Sequence, residues 1–150
     1  MKKITLEYDP KLKEKFRQGE LQREWMEKYG VFDDDDLRLA LSQPTYHFAE
    51  WYVARIFAEK GCKVLLEKYT CQNHQKKTEA LEKLFSKDDI EFIGKLNFPD
   101  LLAYDDKEFF FVEVKMDNDK LSKKQLETFK KLRERFDCEI LVYEMKEKSA

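Results

Sequence analysis

Phe98-Pro99-Asp100-Leu101-Leu102-Ala103-Tyr104, then Asp105-Asp106-Lys107, then Glu108-Phe109-Phe110-Phe111-Val112-Glu113-Val114-Lys115: this run decides the fold. Two segments rich in aromatic, aliphatic and β-branched residues flank a short polar loop, the signature of a β-hairpin. Both are apolar at successive positions, as in strands covered on both faces, so the hairpin belongs inside a layered α/β domain. Asp100, Glu113 and Lys115 interrupt that pattern. Charge in such a run is costly, and a conflict between local pattern and charge is where function is expected.

Register sharpens the point. With Asp106-Lys107 as a two-residue turn, Asp105 pairs with Glu108, and the ladder sets Tyr104 opposite Phe109, Leu102 opposite Phe111 and Asp100 opposite Glu113. Directly opposed residues of an antiparallel pair have Cβ atoms roughly 4.5–5.5 Å apart on one face. Two carboxylates so placed repel unless a cation lies between them. An oxygen-only donor set suits a hard ion such as Mg²⁺, which keeps several waters and takes one or two carboxylates. Lys115, two residues beyond Glu113, returns to the same face. An ammonium there can orient or deprotonate a water and offset charge building on a phosphate. A three-residue loop would instead set Asp100 opposite Val112 and spoil the pairing.

Pro99-Asp100 followed by Glu113-Val114-Lys115 resembles the PD-(D/E)XK nuclease superfamily. The continuation Asp119-Lys120-Leu121-Ser122-Lys123-Lys124-Gln125 resembles its VRR-NUC branch, in which D-x-L-S-x-x-Q opens the helix after the E-V-K strand. The resemblance implies an α/β fold with a restriction-endonuclease-like αβββαβ core, a mixed four-stranded sheet flanked by helices. Residues 1–43 would then be an N-terminal helical extension and 44–150 the nuclease-like core. It further implies a Mg²⁺- or Mn²⁺-dependent deoxyribonuclease. Asp100, Glu113 and the main-chain carbonyl of Val114 would hold the metal, with Lys115 positioning or activating the attacking water. Branched or flapped DNA is the implied substrate and a junction-resolvase-like homodimer the implied assembly; RNA stays open. The alternative is a non-catalytic DNA-binding or assembly subunit retaining a nuclease fold, against which the intact acid-acid-lysine set argues. A blander reading pairs Asp100 and Glu113 with lysines in a partly exposed hairpin, and leaves the L-S-x-x-Q continuation to chance.

The chain's 150 residues fit one domain with a real core. Hydrophobic content of 42% argues against disorder despite 40% charged residues. A net charge of −2 does not announce a nucleic-acid binder, so basic residues would have to gather on one face. No apolar run reaches membrane-spanning length, and Met1-Lys2-Lys3-Ile4 lacks the apolar region of a signal peptide. Cys62, Cys71 and Cys138 are an odd set without framework spacing, as expected of reduced thiols in an intracellular (cytoplasmic or nucleoid-associated) protein.

Asp9-Pro10 reads as a helix start and Gly30 as a stop, with Leu12, Phe16, Trp25, Met26 and Tyr29 as the stripe and Gly19 weakening its middle. Asp33 to Asp36 tempts a metal assignment, yet acids opening a helix ahead of Leu37 are the simpler reading. This segment either covers an edge of the core or serves a dimer contact. A helix spans Tyr46 to Lys60, and its Glu50 shares a face with Val53, Ala54 and Phe57. That carboxylate either snorkels at the stripe's margin or looks into a site, as the resembled family's first core helix implies; His47 reads as a surface or boundary residue. Cys62 to Thr70 forms a first strand. Cys71-x-x-His74 is half a zinc site without a second half, so structural zinc is not expected. A short helix carries Ala80, Leu81, Leu84 and Phe85, and Asp88 to Lys95 leads into the hairpin.

The clearest helix is Lys123 to Phe136. Ser122 caps it, Gln125 stands at the third position, and Leu121 with Leu126 forms a staple. Leu126, Phe129, Leu132 and Phe136 form its buried face. Gln125 also lies one turn from the catalytic strand, within reach of a metal-bound water or a phosphate. Lys120, Ser122, Lys123 and Lys124 are candidates for phosphate contacts. Cys138 to Tyr143 closes the sheet, ahead of a polar tail.

Overall fold

The computed structural model describes residues 1–66 and 75–149. Its frame is a five-stranded mixed sheet in the order β1-β5-β4-β3-β2, comprising β1 (Lys2–Tyr8), β2 (Lys63–Leu66), β3 (Leu101–Tyr104), β4 (Phe109–Met116) and β5 (Ile140–Glu147). β1 and β4 both run parallel to β5, whereas β3 is antiparallel to β4 and β2 to β3. The α/β class stands, with one strand more than expected. The additional strand comes from the segment read as helical: Lys3, Thr5 and Glu7 are exposed, alternating with half-buried Ile4 and Leu6.

Helices cover both faces, because the central strands are apolar on both. Leu101, Ala103, Val112, Leu141, Tyr143 and Met145 face one core, shared with Phe16 of α1 (Pro10–Arg17), Trp25 of α2 (Glu20–Lys28), Ala40 of α3 (Asp34–Ser42) and Phe48, Trp51 and Phe57 of α4 (Pro44–Glu59). Leu102, Phe111, Ile140 and Val142 face the other, with Leu81 of α5 (Gln75–Leu84), Ile93 of α6 (Lys87–Gly94) and Phe129 and Leu132 of α7 (Lys123–Phe136). Toward β1 this second layer gives out, leaving Lys3, Thr5, Glu7 and Lys146 exposed.

Local signals were followed in most places. Asp9 caps α1 through the Lys11 N–H, and Gly19 divides the stripe into two helices at φ 86, a left-handed conformation that glycine adopts without a Cβ penalty. Asp33 and Asp36 form a capping box at the start of α3. Asp36 is also buried, 3.1 Å from Lys77 Nζ, and burial pushes its carboxyl up to about 6. Asp88 to Lys95 is not a connector but the greater part of α6, capped by Ser86. Cys62 and Cys138 are free thiols, whereas Cys71, His74 and the end of the expected first strand lie outside the described residues. No described helix is long and apolar enough to cross a membrane.

Candidate active site

The hairpin fixes the site. Asp105 N–H donates to the Glu108 carbonyl at 3.0 Å, closing the two-residue turn, and the ladder pairs Tyr104 with Phe109, Leu102 with Phe111 and Leu101 with Val112. One step further brings Asp100 level with Glu113. Counting from the hydrogen-bonded Asp105–Glu108 pair, Asp100–Glu113 falls at a non-hydrogen-bonded position, where opposed side chains approach most closely. Both side chains share the face of Leu102 and Phe111, toward α7, and Lys115 follows on it.

Glu113 is 5% exposed. Burial, with the Asp100 carboxylate next in importance, holds its carboxyl far above the usual carboxylate range. Gln125 Nε2 donates to Glu113 Oε1 at 3.2 Å, and the Gln125 side-chain oxygen accepts from the Ser122 N–H at 2.9 Å. The capping box of α7 thereby orients an amide that contacts the buried acid. Asp100 Oδ2 accepts from the Val114 N–H at 2.9 Å. Lys115 Nζ lies 3.7 Å from Asp119 Oδ2, its side chain 11% exposed.

Glu50, Asp100, Glu113, Val114, Lys115 and Gln125 line one cleft of about 640 Å³, together with Ala49, Asn97, Phe98, Met116 and Asp119. Glu50 is 6% exposed, so it does not snorkel to solvent; it reaches the cleft from α4 on the opposite side of the sheet. His47 is buried, its Nδ1 3.5 Å from Glu50 Oε2, and not the surface or boundary residue expected. Lys120, Ser122, Lys123 and Lys124 are outside the cleft lining, on the exposed rim. Asp119, quoted in the motif without a role, stands beside Lys115; its place four residues on, past a turn, was the available signal.

The donor set fits a hard cation. Two crowded carboxyl groups lie at the floor of the cleft, and burial with the neighbouring Asp100 keeps a proton on Glu113, a proton that a bound cation would displace. The Val114 N–H and C=O point toward β3, where the ladder position is Pro99, which has no hydrogen to donate to that carbonyl. Among the described residues no group of three or more His, Cys, Asp or Glu is gathered closely enough to hold a metal alone.

Leu126 departs from expectation: it is 44% exposed, and the buried residues of α7 are Thr128, Phe129 and Leu132. Gln125 takes the inward position of the first turn, because the sheet opposite presents Glu113. The Ser122 cap is testable separately. Ser122→Ala is expected to destabilise the chain by about 1 kcal/mol, read as a lower urea midpoint at unchanged slope. Ser122→Asp, which can still cap, should restore it.

The VRR-NUC domain model matches residues 46–146. Among solved structures, Hjc of Archaeoglobus fulgidus, a Holliday junction resolvase from an archaeal hyperthermophile, is similar at 15% identity and a TM-score of 0.42. The likeness covers 65% of this chain and 66% of that one. No curated protein matches.

Proposed function

Since the chain belongs to the VRR-NUC domain family, we propose that it is a divalent-metal-dependent DNA endonuclease acting on branched or flapped DNA. The observation that carries this reading is the convergence of Glu50, Asp100, Glu113, Lys115 and Gln125 on one cleft from two helices and two neighbouring segments of the sheet. Asp100, Glu113 and the Val114 carbonyl would hold Mg²⁺ or Mn²⁺, with Glu50 on the far wall. Such an ion supplies a Lewis acid for a phosphoryl oxygen and a more acidic water.

The chain's own groups do the rest. Lys115, steadied by Asp119, presents its ammonium within the cleft, where it orients the attacking water and offsets charge developing on the phosphate. Gln125 fixes the Glu113 carboxyl while its own amide is fixed by the cap. Lys123 and Lys124 open α7, where acids would suit the helix dipole, and no acid stands in the first turn. Placing cations at the positive end of a helix costs stability and makes sense opposite phosphates. Lys120 and Ser122 complete that rim.

The test is cleavage of a panel of four-way-junction, flapped, linear and single-stranded DNA with Mg²⁺, Mn²⁺ or EDTA. Cutting of the branched substrates in either metal and none in EDTA is expected. Metal-independent binding without cutting would replace this reading by the DNA-binding or assembly subunit.

A further inference from the structure

We propose that β1 is a self-complementary edge through which two copies of the chain pair into one ten-stranded sheet. β1 ends the sheet, with β5 on one side and, among the described residues, no strand on the other. The Tyr8 carbonyl accepts from the Lys148 N–H at 2.9 Å, so it points toward the β5 side. The N–H and C=O of one strand residue point the same way, and those of successive residues alternate. Ile4 and Leu6 therefore bond toward β5, whereas Lys3, Thr5 and Glu7 turn three N–H and three C=O groups outward. An edge of that kind is a template for another strand.

Lys3-Ile4-Thr5-Leu6-Glu7 is its own complement. About a two-fold axis at Thr5, antiparallel pairing sets Lys3 opposite Glu7 of the second copy, Ile4 opposite Leu6, and Thr5 opposite Thr5. Lys3–Glu7, Thr5–Thr5 and Glu7–Lys3 are then the hydrogen-bonded positions, and every outward group is used. Opposite charges meet twice on the exposed face, and apolar pairs meet twice on the core face. A slip of one residue sets Ile4 against Thr5 or Glu7 and loses both matches. The existing Lys3–Glu144 contact, at 3.9 Å with Lys3 more than half exposed, is too weak to hold Lys3 back. Charge complementarity of the strand with itself, and not with an arbitrary peptide, selects a second copy as the occupant.

The pairing has a consequence for the cleft, one that rests on its reading as a nuclease site. Thr5 pairs with Glu144 and Glu144 with Lys115, so these three share one row across the sheet. The axis at Thr5 stands perpendicular to the sheet and puts both clefts on the same face. Five strand spacings separate the two Lys115 residues, about 24 Å measured along the sheet, and the sheet's twist turns the two clefts relative to one another.

Sedimentation velocity without DNA or metal tests the pairing independently of any cutting. The wild type is expected to dimerise. Thr5→Pro deletes an N–H that points away from β5, and the two bonds so lost per dimer should weaken association by on the order of 100-fold, with the circular dichroism unchanged. Lys3→Glu and Glu7→Lys, both on the exposed face, should each be monomeric alone and should dimerise when mixed, since every charge pair is then Glu with Lys. A monomeric wild type at all concentrations, or a dimer indifferent to these three changes, overturns the proposal.

Discussion

Lys115→Ala is expected to lower cutting by roughly 10²–10⁴-fold, the range contributed by a positioned acid–base group. The fold should not notice. The ion-pair partner of the lysine, Asp119, is 68% exposed, a kind of pair that contributes little to stability, and the ammonium's pull on Glu113 is outweighed by burial and Asp100. Loss of activity with an unchanged urea transition therefore separates a chemical role from a structural one. Lys115→Arg keeps the charge but presents a planar fork that hardly gives up a proton, so it should restore DNA affinity more than rate. Single-turnover cleavage at saturating metal is the measurement, and an alanine variant cutting at the wild-type rate would remove Lys115 from the mechanism.

That residue could be singled out from sequence because hairpin chemistry is short-range. A two-residue turn fixes register, register fixes which side chains are opposed, and period 2 fixes their face. Asp100, Glu113 and Lys115 followed from those rules once Asp105 and Glu108 closed the turn. Capping was equally legible, since Asp9 and the pair Ser122 with Gln125 need only local spacing, whereas Asp33 to Asp36 showed the helix start but not its capping box. What escaped was decided by distant partners. Lys2 to Tyr8 alternates as a half-buried edge strand should, but its apolar residues are few. Only the presence of β5 distinguishes it from a charged lead-in to a helix. His47 lies buried beside Glu50, which its spacing along the helix does not reveal. Leu126 fits an amphipathic stripe until Glu113 claims the inward position for Gln125.

Glu113→Gln should make the metal-free protein more stable while removing its response to metal. Burial first and Asp100 second raise the Glu113 carboxyl from 4.5 to about 9. Between those values the folded chain retains a proton that the unfolded chain has lost, so metal-free stability falls as pH rises through that window. The amide introduced by Glu113→Gln carries no charge to desolvate, can still accept from Gln125 Nε2, and can donate toward Asp100. Near pH 8 the variant should gain on the order of a few kcal/mol, because there the unfolded wild-type chain gives up the Glu113 proton and the folded chain does not, and its stability should vary less with pH. Adding Mg²⁺ to the wild type should raise the thermal midpoint with concentration, because an ion that binds only the folded site stabilises by mass action; the variant should stay flat. Cutting should fall with it, a site that is costly to keep and needed for chemistry. Thermal melts over pH 5–9 with and without Mg²⁺ decide the matter. A variant less stable than wild type throughout, together with a wild type indifferent to Mg²⁺, would mean that the two acids are held by the protein alone and that no cation is required between them.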